Sequence, residues 1–421
     1  MHFSTASEWL SWIASIHPAE IDLGLDRVKQ VAERLGVLRP SSVVITVGGT
    51  NGKGSTVAAL EAIYRTAHYQ VGVFTSPYLF KHNEQIKING VEATDEEFCA
   101  AFSKIESARE EVSLTPFEYH TLAALLLFAN KTLDVILLEV GLGGRLDAVN
   151  IMDADLAIVT SIGIDHVEWL GETREEIGFE KAGIFRKGSP AVCGDNNPPA
   201  TLINYAKKLG TPLYIQDKDF SFTQSRPSEW SWEYKNKNFD HLPRNALAIQ
   251  NMSTVMMAVT LLQDKLSVKE EAIAKGLTAV NLPGRIQIVP GAVMQIFDVA
   301  HNPHAVALLA NHLKANPGGG KTRAVFSILA DKDMLMSIRE IATLIDEWYV
   351  APLPIKRGAS KEKLEWVFKK ASIANYTCYP TIEEAYKMAM SNSGAGDKVI
   401  IFGSFHTVAA ILGSDEYKKS E

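Results

Sequence analysis

The feature that most constrains this chain is a recurring order of buried-type strands and helices. Residues 42–47 (SVVITV), 133–140 (LDVILLEV) and 156–162 (LAIVTSI) are rich in β-branched and other apolar side chains, as are strands buried on both faces. Apolar residues at helical spacing follow the first of these strands over 57–67. Strands that alternate with helices predict a parallel, doubly wound α/β sheet.

The alternation is interrupted once and then begins again. Residues 217–244 are polar and aromatic, which predicts a hairpin or an excursion from the sheet, and helical periodicity resumes over 245–265. The strand-like run AVMQIFDVA then opens a second series of strands and helices. We therefore expect a doubly wound domain over 1–286 and a smaller, Rossmann-like α/β domain over 287–421.

Composition narrows the class of protein. The 421 residues carry a formal charge of -7 and a pI of about 5.9, so the net charge attracts neither nucleic acid nor an anionic membrane. The first residues lack the basic and apolar regions of a signal peptide, and apolar runs are too short to span a bilayer. The three cysteines lie far apart and are expected to be buried, reduced thiols. A cytoplasmic protein is the expectation.

The stretch VGGTNGKGST, residues 47–56, resembles a phosphate-binding loop with altered spacing. The usual loop is G-x-x-x-x-G-K-[ST], but here Gly54 follows Lys53 and Val47 stands at the first glycine position. Backbone N–H groups of a glycine-rich turn and the positive end of the next helix form an anion site. The alternative is a plain glycine turn. Its position after a buried strand favours a nucleotide site of P-loop type, with Ser55 or Thr56 near Mg²⁺.

Further polar residues follow the predicted strands. Glu139 ends an apolar strand, and ligands of open α/β sheets bind at the carboxyl ends of strands, so Glu139 is a candidate Mg²⁺ ligand. The alternative is a structural carboxylate that accepts hydrogen bonds from loop amides. His166 follows the next strand and by itself is more typical of a hydrogen-bonding loop histidine.

Three more positions have alternative interpretations. Lys181, in EEIGFEKAGIFR, is by spacing alone a solvated helix lysine that pairs with Glu180. Arg145 and Asp147, in GLGGRLD, either face a substrate or pair with each other.

The second predicted domain carries a similar group of residues. Asp298 ends a strand, and His301 precedes a helix in FDVAHNPHA. The alternative there is a capping asparagine beside surface histidines. Arg285, in LPGR, can bind phosphate through two parallel hydrogen bonds.

Seven motifs that occur in order together resemble the folate-ligase branch of the Mur ligase family: GTNGKGST, TSPYL, LEVGLGGRLDA, DHVEWLG, EKAGIFR, LPGR and FDVAHNPHA. The resemblance covers nearly the whole chain. It implies the Mur ligase architecture, a P-loop-type domain followed by a Rossmann-like domain. A glycine after the loop lysine is normal in this branch.

The resemblance also implies an activity and its residues. The expected reaction joins L-glutamate to dihydropteroate and to tetrahydrofolate through an acyl phosphate, by a monomeric enzyme. ATP is expected to contact Thr50, Asn51, Gly52, Lys53, Gly54, Ser55, Asn251, Arg285 and Asp298. Two Mg²⁺ sites are expected to involve Ser55, Ser76, Glu139 and His166. Catalytic roles are expected for Lys53, His166, Lys181 and His301, with Lys181 carbamylated. The pteridine substrate is expected to contact Ile21, Asp22, Leu23, Thr115, Pro116, Phe117, Glu118, Arg145, Leu146, Asp147 and Ala148.

Two positions depart from this pattern or are ambiguous. Tyr78 stands where the branch often has histidine, and Asn245 competes with Asn251 as the ATP-contacting asparagine. Three alternative functions stay open: a folylpolyglutamate synthase alone, a Mur-type ligase with another substrate, and a nucleotide-gated binding protein. The Lys-Gly-Ser order and the segment IDLGLDR count against a peptidoglycan ligase, and no recruiting tail or coiled coil supports the binding protein.

Overall fold

The computed structural model describes residues 3–19 and 21–414. The chain forms two compact units, which divide between Asn281 and Leu282. The division precedes the expected boundary at 286/287 because residues 284–286 are hydrogen-bonded to the second unit. The N–H of Val299 donates to the Gly284 carbonyl at 2.9 Å, and the N–H of Ile286 donates to Asp298 Oδ2 at 2.8 Å.

The first unit is built on a mostly parallel sheet with the strand order β4-β3-β2-β5-β1-β6-β7-β8. Its strands are β1 (Val43–Gly48), β2 (Val71–Phe74), β3 (Ile86–Ile88), β4 (Val91–Glu92), β5 (Val135–Glu139), β6 (Leu156–Val159), β7 (Ala191–Cys193) and β8 (Leu213–Ile215). Strands β2, β5, β1, β6, β7 and β8 run parallel, and β3 and β4 add an antiparallel edge. The predicted doubly wound parallel sheet is therefore confirmed.

Helices cover both faces of this sheet and connect its strands. They are α1 (Ala6–Ile16), α2 (Asp26–Leu35), α3 (Lys53–Thr66), α4 (Asp95–Arg109), α5 (Pro116–Ala129), α6 (Val167–Leu170), α7 (Arg174–Ala182), α8 (Ala200–Leu209), α9 (Ile249–Leu261) and α10 (Glu270–Ala279). Helix α5 is buried from Glu118 to Phe128, since it lies between the sheet and the layer formed by α1, α2 and α4. It begins with a capping box in which Thr115 and Glu118 satisfy each other's backbone N–H groups.

The segment predicted as a hairpin or excursion is a small antiparallel sheet. Strands β9 (Ser221–Arg226), β10 (Glu229–Tyr234) and β11 (Lys237–Pro243) pair in the order β11-β10-β9. Its alternating aromatic residues place Trp230 and Trp232 on the buried face of β10, 1% exposed each. The polar and aromatic composition thus reflects a sheet with one buried face and one solvent-exposed face.

The second unit is another α/β sheet, with the strand order β12-β13-β17-β14-β15-β16. Its strands are β12 (Gln287–Val289), β13 (Met294–Asp298), β14 (Thr322–Phe326), β15 (Glu347–Val350), β16 (Tyr376–Cys378) and β17 (Lys398–Phe402). Its helices are α11 (Pro303–Ala315), α12 (Met334–Ile341), α13 (Lys361–Lys370), α14 (Ile382–Ser391) and α15 (Phe405–Leu412). The predicted strand 292–300 shortens to β13, and β12, which pairs antiparallel with it, was not predicted.

The cysteine prediction holds for one residue of three. All three thiols are free, but only Cys193 is buried, whereas Cys99 and Cys378 are half-exposed. Over the described ranges 3–19 and 21–414, no helix is long and apolar enough to cross a membrane.

Candidate functional site

The strand order of the first sheet assembles a polar edge. Strand β1 pairs in parallel with β5 on one side, where Val47 lies opposite Glu139, and with β6 on the other, where Gly48 lies opposite Val159. Strand β2 flanks β5. The residues that follow β2, β5, β1 and β6 therefore meet at one edge, which is the position where open α/β sheets bind ligands.

The glycine-rich loop after β1 takes a conformation that requires glycine. Gly49 has φ +136°, and a Cβ there would lie 1.9 Å from Thr160 Oγ1. The hydroxyl of Thr160 donates to the Asn51 carbonyl at 2.6 Å, and the Asn51 N–H donates to Ser161 Oγ at 3.2 Å. The Thr50 N–H donates to the Ser161 carbonyl at 2.7 Å. The loop is therefore fixed against the end of β6.

Helix α3 begins directly after this loop and lacks a side-chain cap. Its N-cap is Gly52, with φ 88°, which has no side chain that could accept hydrogen bonds from the first turn. Lys53 Nζ donates to the carbonyls of Gly49 at 3.2 Å and Thr50 at 3.4 Å, so its ammonium group lies over the loop. The backbone amides, the helix dipole and this charge all favour an anion at the same place.

Glu139 and Ser76 lie at the same edge. Glu139 is 5% exposed, and its Oε2 accepts a hydrogen bond from the Ser76 N–H at 3.2 Å. Ser55, in the first turn of α3, is also buried. His166 precedes α6 in the left-handed conformation, φ 50°, and its N–H donates to Asp165 Oδ1 at 2.8 Å.

Among the described residues, no three His, Cys, Asp or Glu side chains are grouped so that they could hold a metal ion. A cation at this edge would therefore need hydroxyl, phosphate and water oxygens beside the Glu139 carboxylate. That donor set fits Mg²⁺, which keeps several waters and takes few protein ligands.

Lys181 is buried, contrary to its interpretation as a solvated helix residue. It is 3% exposed at the end of α7, because the loop after β5 packs on that helix. A Cβ on Gly144 would lie 3.2 Å from Lys181 Cα, and the Arg145 N–H donates to the Glu180 carbonyl at 2.8 Å. Burial, together with the charge of Lys53, lowers the pKa of Lys181 to about 7, although Asp165 and Asp147 oppose this.

Arg145 and Asp147 do not pair with each other. The Arg145 guanidinium donates to Glu180 Oε1 at 2.8 and 3.1 Å. Glu180 therefore pairs with Arg145, and the predicted pairing of Glu180 with Lys181 is wrong. Asp147 accepts from the N–H groups of Leu142 at 2.8 Å and Val149 at 3.1 Å. Burial raises the pKa of Asp147 to about 6 in spite of these bonds and of Lys53. Asp147 thus closes its loop, and the half-exposed Leu146 and buried Ala148 lie beside it.

The other expected substrate segments lie together in the first unit. Arg27 joins Asp22 to Glu118, with Nη1–Oδ2 2.8 Å and Nη2–Oε1 3.3 Å. Ile21 and Leu23 flank Asp22, and both are half-buried. Thr115 and Pro116 precede Glu118 at the start of α5, where Thr115 is buried and Pro116 is half-buried. The Phe117 ring lies against Gly141, where a Cβ would come within 2.6 Å of it. Phe117 thus connects these segments to the loop after Glu139.

The two candidate asparagines have different surroundings. Asn251, in the first turn of α9, places its side-chain amide against the glycine loop, since a Cβ on Gly52 would lie 2.5 Å from its Nδ2. The side chain of Asn245 donates to the Leu277 carbonyl at 3.0 Å and accepts from the Leu247 N–H at 3.0 Å. Asn245 therefore stabilises the turn before α9.

Tyr78 is 46% exposed in the loop after β2. Glu84 fixes that loop by accepting hydrogen bonds from the N–H groups of Leu79, Phe80 and Lys81 at 2.7–2.8 Å.

In the second unit, three predicted residues lie around the end of β13. Asp298 is 8% exposed and accepts from the N–H groups of Ile286 and Ala300, both at 2.8 Å. The Phe405 ring centroid lies 4.8 Å from the Arg285 guanidinium and 6.3 Å from the His301 ring centroid. Burial raises the pKa of Asp298, and Arg285 opposes that shift.

Sequence reasoning missed the residues that fix the glycine loop. Thr160 and Ser161 follow β6 directly, so the rule that polar residues at strand ends belong to the site would have found them.

Comparison with known proteins adds two family matches. Residues 47–219 match the Mur ligase middle domain, and residues 284–405 match the glutamate ligase domain of Mur ligases. The chain is similar to the dihydrofolate synthase/folylpolyglutamate synthase of Escherichia coli, at 43% identity over 97% of this chain and 95% of the relative.

Solved structures show the same likeness. The structure of Escherichia coli FolC in complex with DHPP and ADP has a TM-score of 0.95 at 42% identity and covers 99% of both chains. That of a bifunctional folylpolyglutamate synthase/dihydrofolate synthase from Yersinia pestis, with AMPPNP and a Mn ion, has a TM-score of 0.92 at 43% identity and covers 97% of this chain and 98% of that one.

The buried amine of Lys181 predicts a pH-dependent stability. Its folded pKa of about 7 lies below the ordinary value of 10.5, so between these values the unfolded chain binds a proton that the folded chain lacks. The free energy of unfolding therefore rises with pH across this window, by up to about 1.4 kcal/mol per pH unit. We expect Lys181→Met to be more stable than the wild type at pH 7 and to lose this advantage towards pH 10.5.

Urea denaturation in CO₂-free buffers between pH 6.5 and 10 measures this effect. Lys187→Met makes the same change at an exposed lysine a few residues away and should show no such trend. Parallel stability curves for the wild type and Lys181→Met would contradict the prediction.

Proposed function

The chain belongs to the Mur ligase family, and on that premise we propose that it is an ATP-dependent ligase that makes both dihydrofolate and folylpolyglutamate. It would join L-glutamate to dihydropteroate and to the γ-carboxylate of tetrahydrofolate. One observation supports the proposal: the start of α3, which has no side-chain cap, and the Lys53 ammonium would favour an anion at the strand edge that also carries the buried Glu139 carboxylate. The substrates are proposed from the names of relatives that this chain matches over 95% or more of their length, the dihydrofolate synthase/folylpolyglutamate synthases.

We propose that the residues of the glycine loop hold ATP. The loop amides from Thr50 to Ser55 and the Lys53 ammonium would bind its phosphates, and Asn251, which lies against Gly52, would contact the nucleotide. From the second unit, Arg285 and Asp298 are proposed as ATP contacts and His301 as a catalytic residue. Ser55, Ser76, Glu139 and His166 would hold Mg²⁺, which neutralises charge on the phosphates.

In the proposed reaction, a substrate carboxylate attacks the γ-phosphate and ADP leaves. The glutamate amine then attacks the acyl phosphate, forms the amide and releases inorganic phosphate and a proton. Both partners of the first step are anions, so Lys53 lowers their repulsion as charge develops, an effect worth several kcal/mol per placed group. The segments 21–23, 115–118 and 145–148 would hold the pteridine substrate.

We also propose that the first unit is the ATP-binding domain with the pterin segments and the second the glutamate ligase domain. The enzyme is proposed to be a cytoplasmic monomer, which sedimentation of the purified protein at micromolar concentration would test for the oligomeric state.

Phosphate release tests the proposed function. Purified protein with ATP, Mg²⁺ and L-glutamate should release phosphate when either dihydropteroate or tetrahydrofolate is added, and little when glutamate is omitted. Stimulation by tetrahydrofolate alone would reduce the activity to polyglutamylation. No stimulation by either substrate would overturn the proposal.

Carbamylation of Lys181 has its own test. A buried amine with a pKa of about 7 is partly neutral at physiological pH, and a neutral amine is the form that adds CO₂. We expect Lys181→Ala to lose at least about 100-fold in kcat, the loss typical of a misplaced catalytic group, and to recover part of it with added short carboxylates. Full activity of Lys181→Ala, or loss without rescue, would count against the carbamate.

Asn251 and Asn245 form a matched pair for the nucleotide site. Asn251→Ala should raise the KM for ATP about tenfold, the worth of one or two hydrogen bonds, with little change in Tm. Asn245→Ala should lower Tm and leave that KM unchanged, because its side chain holds the Leu277 carbonyl and the Leu247 amide. The reverse pattern in steady-state kinetics and thermal denaturation would assign the ATP contact to Asn245.

A further inference from the structure

Residues 21–24, between α1 and α2, form an irregular segment that is held to the first unit by side-chain contacts. Within the described part of the chain, no backbone–backbone hydrogen bond joins these four residues to the rest of the first unit. Two side chains contact the segment at Asp22: His17 Nε2 lies 3.5 Å from Asp22 Oδ2, and Arg27 contacts both the side chain and the backbone.

Arg27 holds the segment through a three-point contact. Its Nη1 lies 2.8 Å from Asp22 Oδ2, and its Nη2 donates to the Asp22 carbonyl at 2.7 Å and to Glu118 Oε1 at 3.3 Å. Arg27 lies in the first turn of α2, and Glu118 in the first turn of α5. One guanidinium therefore fixes the irregular segment to the start of a buried helix 91 residues away in sequence.

The contact also stabilises a buried charge. Glu118 is 3% exposed, and its Oε2 accepts from the Thr115 N–H at 2.7 Å in the capping box of α5. Burial raises the pKa of Glu118, while the Thr115 hydrogen bond and Arg27 lower it. Removal of the guanidinium would leave Glu118 Oε1 without this cation, and the N-terminus of α5 would lose its link to residues 21–24.

We propose that Arg27 is a positioning residue that sets the geometry of the dihydropteroate site. The inference rests on the proposed function, in which residues 21–23 and 115–118 hold the pteridine ring. The Arg27 side chain is half-buried, its Nη1 and Nη2 contact protein partners, and its buried Nε has no hydrogen-bond partner among the described residues. Its effect is to hold two substrate segments at a fixed separation, while the phosphate loop and Glu139 belong to other elements.

Lysine cannot replace arginine in this arrangement. The guanidinium reaches Asp22 and Glu118 at once through separate nitrogens, whereas a single ammonium is a point charge that favours one partner. Arg27→Lys should therefore keep the charge near Glu118 and lose the fixed spacing, and its behaviour should fall between that of the wild type and Arg27→Ala.

Arg34 supplies a matched control on the same helix. Its side chain is 31% exposed against 29% for Arg27. It donates to the carbonyls of Ala108 at 2.9 Å and Arg109 at 3.0 Å and pairs with Glu110, so it fixes α2 to the end of α4. Arg34→Ala removes a comparable contact of α2 away from residues 21–24.

The experiment is steady-state phosphate release by full-length Arg27→Ala, Arg27→Lys and Arg34→Ala, with thermal denaturation of each. For Arg27→Ala we expect the KM for dihydropteroate to rise about tenfold or more, as for loss of a charge-assisted contact. The KM for ATP should stay within about twofold of the wild type, since the phosphate site is unchanged. The KM for tetrahydrofolate should rise as well, because the same segments are proposed to hold its pteridine ring. Arg27→Lys should be intermediate, and Arg34→Ala should match the wild type in all kinetic constants.

The outcomes separate the inference from the function on which it rests. Wild-type protein whose phosphate release is not stimulated by dihydropteroate would refute the dihydrofolate-forming part of the proposed function. Wild-type protein active with both substrates, together with an unchanged dihydropteroate KM in Arg27→Ala, would overturn the role of Arg27. An equal rise in the KM for ATP, or the same kinetic change in Arg34→Ala, would also overturn it, because either result indicates general destabilisation.

Discussion

The candidate site depends on the parallel pairing of β1 with β5 and β6. That register brings the glycine loop, Glu139 and the residues after β6 to the same edge. Parallel strands end at the same edge because each returns through a helix on a face of the sheet. A shift of β1 by one residue would turn Val47 and the loop away from their neighbours, and every contact of the loop with Thr160 would be lost.

The edge concentrates positive charge before any ligand arrives. Lys53 and the start of α3 point at one place, and the buried amine of Lys181 lies close enough to Lys53 that the two charges repel. Burial first, and the charge of Lys53 second, lower the pKa of Lys181 to about 7, while Asp165 and Asp147 oppose that shift. An anionic ligand would relieve the same repulsion, so phosphate binding and the charge state of Lys181 are coupled.

The sequence predicted this edge well because its signals are local. Apolar strands, the glycine loop and the carboxylate at position 139 are each recognised within a few residues, and the parallel topology follows from their order. The burial of Lys181 could not be predicted in this way, since it arises from the approach of Gly144 to α7 across a gap of more than 30 positions. The same limit applies to Arg145 and Asp147, whose partners lie on α7 and in the loop's own backbone. Asn251 and Asn245 were indistinguishable by sequence because only the packing of α9 against Gly52 separates them.

Under the proposed function, substrate recognition would be less rigidly specified than phosphate binding. The loop residues are fixed by backbone geometry that only glycine permits, so that part of the site tolerates little change. Residues 21–24 lie outside the sheet and depend on side-chain contacts, chiefly the Arg27 guanidinium, for their position. If both proposed roles hold, changes of a few residues near α2 and α5 would alter the acid that is activated, while the proposed phosphate-binding edge would keep its structure. The choice of carboxylate and the chemistry performed on it would then depend on physically separate parts of the first unit.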